Sequence, residues 1–119
     1  MIEVICITED SYLTYLKVSG HASKDRNNTI ICSAVSCLTR TVCEITTRLK
    51  GVSSKCSAPN PGDVLLTIER VNENIKDRFC GITDYLLIGI IGVVRDYPDS
   101  VTLKINNKEW YDGSQKRWW

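Results

Sequence analysis

One histidine and six cysteines bound the nucleophilic chemistry open to this chain. His21 and Cys32 lie in the stretch SGHASKDRNNTIICSAVS, residues 19–36. Between them runs Ser23-Lys24-Asp25-Arg26-Asn27-Asn28, a polar run that no core would accept. A free thiol is only a few per cent thiolate near neutral pH, and the thiolate is the attacking form. Two features can shift that balance at Cys32. The residue falls at the expected start of a helix, where unpaired N–H groups and the helix dipole favour an anion. His21 can approach across the loop as base or ion-pair partner. The N–H groups of the first helical turn would also hold a developing oxyanion. With a single histidine, any Cys–His mechanism must use His21. The plainer alternative is a buried helix-start cysteine and a loop histidine, since one Cys and one His are a weak signal without a family signature.

The other cysteines are Cys6, Cys37, Cys43, Cys56 and Cys80, and no two of the six form a C-x-x-C pair. With one histidine available, no zinc site is expected, and no other metal or cofactor is needed. A reducing compartment disfavours disulfides. Cys6, Cys37, Cys43 and Cys80 are therefore expected as small buried apolar residues. A redox pair of Cys32 with Cys37 has poor geometry, because five helical residues set two side chains about 140° apart.

At 119 residues the chain suits a single domain with one core. Fifteen basic and fourteen acidic residues leave a net charge of +1, so no bulk field recruits nucleic acid or anionic lipid. The opening Met-Ile-Glu-Val has no secretory pattern. The longest apolar run, residues 85–94, is too short to span a bilayer. The expectation is a cytoplasmic protein without a membrane partner.

The elements that must position the two residues follow from periodicity. Residues 2–8 are almost wholly apolar and rich in β-branched side chains, which predicts a strand covered on both faces. Glu9-Asp10-Ser11 signals a turn, and Tyr12 to Ser19 reads as the partner strand of a hairpin. From Cys32 the period lengthens: Val35, Leu38, Val42, Ile45 and Leu49 mark one face of a helix. Asn28 or Thr29 is placed to cap its start and Gly51 to end it. Residues 51–62 are rich in Ser, Pro and Gly and read as a loop. Residues 63–70 alternate as a strand. A second helix begins at residues 72–75 and runs to about Tyr97, although the β-branched content of Ile88 to Val94 also permits a strand there. Its latter half is apolar nearly all round, so it must be covered on more than one side, by the sheet and by the first helix or a second subunit. Residues 101–105 alternate as a last strand. The order ββαβαβ predicts an α+β two-layer sandwich with a mainly antiparallel sheet and two long helices. The tail, residues 107–119, carries all three tryptophans. It reads as a chain end that folds back or orders in an assembly, with an aromatic anchor for a partner as the functional alternative.

The stretch GHA, a short polar loop, two aliphatic residues and then CSAVS opening a helix resembles the signature of the Prp family, the ribosomal-processing cysteine proteases. The distal segment YLLIGIIGVVRDYPDSVTLKI is similar to that family's apolar second helix, its Tyr-Pro exit and its final strand. The resemblance reaches to about Asn106. It implies a cytosolic homodimer acting as a cysteine endopeptidase, whose substrate is the N-terminal extension of large-subunit ribosomal protein 27. It makes Cys32 the nucleophile and His21 the general base. Gly20 and Ala22 flank the histidine in the motif, Ser33 follows the cysteine, and Ser36 matches the family's serine one turn later. The family commonly has an Asp three residues before the cysteine. Here that position is Thr29, and the loop lacks Gly, so Asp25 or Asn28 becomes the candidate to orient His21. The rival of another class is a non-catalytic dimeric relative that binds a ribosomal protein or an assembly intermediate.

Overall fold

The computed structural model describes residues 1–20, 26–58, 60 and 62–111, with the backbone alone at 26–28. Six strands and two long helices follow the order β1 (Ile2–Glu9), β2 (Tyr12–Ser19), α1 (Arg26–Arg48), β3 (Val52–Ser57), β4 (Val64–Val71), α2 (Lys76–Asp96), β5 (Val101–Ile105) and β6 (Lys108–Glu109). A single 3₁₀ turn, Glu73–Ile75, leads into α2. The strands form one sheet in the order β3-β4-β2-β1-β5-β6, antiparallel except where β1 lies parallel to β5. This is the expected α+β sandwich, with β3 and β6 added to the predicted strands.

Register explains the core. Leu66, Leu16, Cys6 and Ile105 form one row across the sheet, and Val64, Val18, Val4 and Leu103 form the next. All eight are buried, because side chains two apart on a strand share a face and that face lies under the helices. The opposite face carries exposed Glu3, Lys17, Leu65 and Lys104, with Ile5, Ile7 and Tyr15 half-buried. β1 is thus covered on one face, not on both as its apolar run suggests. Its apolar outer residues are shielded in part by their neighbours within the sheet.

The broken alternation of β2 also has a cause. The pairing slips between Ile7 and Thr8, so that Tyr15 faces Ile7 while Leu13 faces Thr8. A bulge resets the parity and lets both Leu13 and Leu16 point inward. The Leu13 amide donates instead to the Thr83 hydroxyl on α2 at 2.9 Å, and that hydroxyl donates to the Phe79 carbonyl at 2.9 Å. One threonine thereby pins α2 to the hairpin. The hairpin turn itself uses Asp10 and Ser11 at positive φ, the two-residue geometry that matches strand twist.

The helices cross where Gly89 of α2 meets Leu38 of α1. A Cβ on Gly89 would stand 2.8 Å from a Leu38 methyl, so the glycine permits the approach. α1 covers one side of α2 and the sheet another, burying Leu86, Leu87, Ile90, Ile91 and Val94. Tyr85 and Ile88 remain exposed. Residues 29–48 are long and apolar enough to cross a membrane by length and composition. Their arrangement is that of an amphipathic core helix, with Ile31, Val35 and Val42 buried and Arg40, Glu44 and Arg48 exposed.

Three expectations are corrected. α1 begins at Arg26, so Asn28 and Thr29 lie inside it and cannot cap its start. Its first residues, Arg26, Asn27, Asn28 and Thr29, are all polar and leave no apolar period to read. Residues 52–57 form an edge strand whose exposed serines and lysine disguise it as loop. Of the cysteines expected to be buried, Cys6 and Cys43 are, whereas Cys37 is exposed on the outer side of α1 and Cys80 is half-buried. Gly51, at φ +99°, turns the chain from α1 into β3. At the other end Trp110 is buried, its backbone N–H donating to the Leu103 carbonyl at 2.8 Å and its ring under the Arg95 guanidinium at 5.5 Å. Residues 112–119 lie outside the described residues.

Candidate active site

Cys32 sits on the seventh residue of α1, half-buried and packed against the core cluster. Ile31 and Val35 on either side of it are buried and fix the rotation of the helix. Cys32 is consequently held at the rim of the core, with one side against apolar neighbours and the other toward solvent. That rotation is secured further along by Thr39, fully buried, whose hydroxyl donates to the Val35 carbonyl at 2.8 Å. Thr46 repeats the device with the Val42 carbonyl at 2.6 Å. Threonines that satisfy their own hydroxyls in this way can occupy a buried helix face, which a hydropathy pattern reads as polar.

The helix start differs from expectation in a way that bears on chemistry. Only the first four N–H groups of a helix are free of intrahelical partners. Those lie at the helix start, and Arg26, its first residue, is six residues, about 9 Å of axial rise, before Cys32. The amide of Cys32 is inside the helical ladder, so first-turn N–H groups do not surround its sulfur. The groups that do share its side of α1 are three and four residues away. Thr29, one turn before, is exposed, and Ser36, one turn after, is half-buried. The Ser36 carbonyl receives a long contact from the Thr39 hydroxyl, 3.5 Å. Ser33 is exposed next to the cysteine, and Asn28 lies one turn before it in the backbone. The structure thus gathers Cys32, Thr29 and Ser36 on one stripe of α1.

His21, Ala22 and Asp25 lie outside the described residues. What precedes them is described. Gly20 follows the last residue of β2 at φ +95°, a backbone region that side chains with a Cβ rarely adopt. A Cβ there would also collide with the Met1 carbonyl oxygen. Glycine is required at that position for two independent reasons. The direction in which the chain leaves β2 toward His21 is set by it.

Three of the other thiols, Cys6, Cys43 and Cys80, are held protonated by their surroundings. Burial pushes the Cys6 thiol up to about 12. Burial, reinforced by contact with Cys56, does the same for Cys43, with Arg40 opposing. Cys80 is also raised, first by burial and then by Asp77 and Asp84, and its sulfur lies 3.6 Å from the Asp10 carbonyl oxygen. Among the described residues no cluster of three or more His, Cys, Asp or Glu could hold a metal ion.

Comparison with known proteins adds a family. The family model described as cysteine protease Prp matches residues 1–102, which includes β1, β2, His21 and the whole of α1. Among solved structures, SMU.848 from Streptococcus mutans superposes with a TM-score of 0.72 at 23% identity, covering 88% of this chain and 93% of that one. The ribosomal processing protease Prp from S. aureus, in complex with a substrate peptide, gives 0.70 at 18% identity, covering 89% of this chain and 100% of that one. The same S. aureus protease with a covalently linked product peptide gives 0.72 at 17% identity over the same shares. At these identities the superpositions establish the fold. No curated protein sequence matches the chain.

Proposed function

Since the chain belongs to the Prp family of cysteine proteases, we propose that it removes the N-terminal extension of large-subunit ribosomal protein 27, with Cys32 as nucleophile and His21 as general base. The observation that carries this reading is the placement of Cys32. It is half-buried at the rim of the core, on a helix whose rotation buried neighbours fix, eleven residues after the only histidine in the sequence.

In this mechanism His21 takes the thiol proton as the Cys32 sulfur attacks the scissile carbonyl. The tetrahedral oxyanion is held by donors that α1 offers beside the sulfur. The Thr29 and Ser36 hydroxyls are within one turn on the same side and are the side chains proposed for that task. His21 returns the proton to the leaving amine, the C–N bond breaks, and the new chain end departs. Water then hydrolyses the thioester, with His21 again as base, and frees Cys32. The covalently linked product peptide on the S. aureus protease is the kind of species such a route passes through. Asp25 or Asn28 is the proposed orienting group for His21, in place of the family's Asp at the position of Thr29. The enzyme acts as a cytoplasmic homodimer in this proposal, and exposed Tyr85 and Ile88 on α2 offer apolar surface to a second copy.

The test is to incubate the protein with ribosomal protein 27 bearing its extension and follow the mass of the product. A single cut by the wild-type chain, absent with Cys32→Ala and strongly slowed with His21→Ala, is the expected result. Binding without cleavage by the wild type would favour the non-catalytic relative instead, and cleavage that persists in Cys32→Ala would refute the assignment.

A further inference from the structure

A second pair of thiols stands toward the opposite end of α1 from Cys32. Cys43 is buried on α1, and Cys56 is exposed on the edge strand β3. Cys56 pairs with Leu66 across β3 and β4, and cross-strand partners project to the same face of a sheet. Leu66 is fully buried beneath the helices, so Cys56 stands on the face that carries α1. Both cysteines line one cavity of about 500 Å³, together with Arg40, Thr47 and Arg48. Cys56 stands near enough to Cys43 to raise its thiol beyond what burial alone does. Eleven helical residues separate Cys43 from Cys32, about 16 Å of axial rise, which puts the pair beyond reach of the proposed nucleophile.

We propose that Cys43 and Cys56 are a reversible oxidation site, in which a peroxide oxidises exposed Cys56 and buried Cys43 then closes a disulfide that staples β3 to α1. The Cys56 sulfur, as thiolate, attacks one peroxide oxygen. The O–O bond breaks, and the departing hydroxide takes up the proton that Cys56 gave to solvent, leaving as water. Cys56 is then a sulfenic acid. The Cys43 sulfur attacks the Cys56 sulfur, the S–O bond breaks, and the oxygen leaves as water with the Cys43 proton. Two thiols have lost two electrons and two protons, and one peroxide has become two waters. Burial holds the proton on Cys43, so the second step is the slow one at neutral pH and accelerates as pH rises. The site is independent of the protease reading, since neither thiol belongs to the Cys32 stripe.

The experiment uses the full chain carrying Cys32→Ala, treated with hydrogen peroxide with and without dimedone and digested with trypsin without reduction. Cleavage after Arg40, Arg48, Lys55 and Arg70 places Cys43 in residues 41–48 and Cys56 in residues 56–70, so each thiol is read separately. The expected result is an early dimedone adduct on Cys56 and later accumulation of the two peptides joined. The joining is several-fold faster at mildly alkaline than at neutral pH and is reversed by dithiothreitol. In Cys43→Ser the joined species is lost and Cys56 proceeds to the sulfinic acid. In Cys56→Ser, a change at an exposed position, Cys43 stays reduced. A mixture of unlabelled and ¹⁵N-labelled protein should give joined peptides of one isotope only. Joined peptides of mixed isotope would overturn the proposal, as would oxidation of Cys56 that never proceeds to a link with Cys43.

Discussion

Cys32 and Cys43 belong to the same helix, and its two halves treat them differently. In the first half Cys32 lies at the rim of the core, flanked by the exposed residues Thr29 and Ser33 and followed by half-buried Ser36. In the second half Cys43 sits in the groove between α1 and β3, and burial pushes its thiol up to about 12. Residue type is identical; what differs is which side of the helix each occupies and what lies above it. A thiol becomes a core residue where its neighbours cover it, as at Cys43, and keeps one side open where they do not, as at Cys32. β2 ends at Ser19, and the chain leaves for His21 through Gly20.

Exchanging the roles of the two cysteines is the strongest way to break this contrast. Cys32→Ala is expected to lower peptide cleavage by roughly 10³-fold or more while changing stability little. Cys43→Ala is expected to do the reverse, costing roughly 1 kcal/mol of stability with cleavage retained. Denaturant unfolding and steady-state cleavage measured on both variants check it. A Cys43→Ala protein that is fully folded but inactive would erase the distinction between the two halves.

Gly20→Ala is the next largest effect. The left-handed backbone and the collision with the Met1 carbonyl oxygen together should cost at least about 2 kcal/mol, or force the chain to leave β2 along another line. Either way cleavage should fall further than stability alone accounts for, because His21 follows directly. Thermal unfolding and kcat/KM on the same preparation separate the two contributions.

The smallest effect sharpens the contrast through pH. Cys6 has an ordinary value of 9.0 and a folded value of about 12. Its protonated form is favoured by the fold, so the unfolded chain releases the proton first as pH rises. Its contribution is complete below about 9 and is lost progressively toward 12. Cys43 adds in the same direction. Urea midpoints should therefore decline across that window, and the decline should be shallower in Cys6→Ala. An equal slope in both proteins would show that Cys6 does not contribute.

How much of this was legible beforehand follows from where burial leaves a signature. β2 and β5 match their predicted bounds because turn residues bracket them and their apolar positions repeat. α2 was readable from Phe79 to Val94, where apolar residues recur at helical spacing. β3 was not, because an edge strand that buries almost nothing can be built from Ser53, Ser54, Lys55 and Ser57. The first turn of α1 was hidden because Arg26, Asn27, Asn28 and Thr29 carry no apolar period. Thr39, Thr46 and Thr83 were missed from the core because their hydroxyls find partners inside it, a fact invisible to hydropathy. Trp110 belongs to the tail expected to fold back or order in an assembly, and the turn at Asn106 and Asn107 brings it back onto β5. There the Asn106 side chain holds the Thr8 amide at 2.8 Å and the Thr8 hydroxyl at 2.9 Å. The motif around His21 and Cys32 was legible as a pattern. The depth of Cys32 within α1 was not, and with it went the supposed role of the first-turn amides.

The most direct test of the central claim sets Cys32 against thiols that are easier to reach. Cys37 and Cys56 are exposed, whereas Cys32 is only half so. Treat the native protein with less than one equivalent of iodoacetamide, alongside His21→Ala, and locate the label by mass spectrometry. If Cys32 is the nucleophile and His21 its base, the label concentrates on Cys32 despite its lower exposure, and the preference collapses in the variant. Labelling that follows exposure, with Cys37 and Cys56 modified first and no change in His21→Ala, would contradict the account.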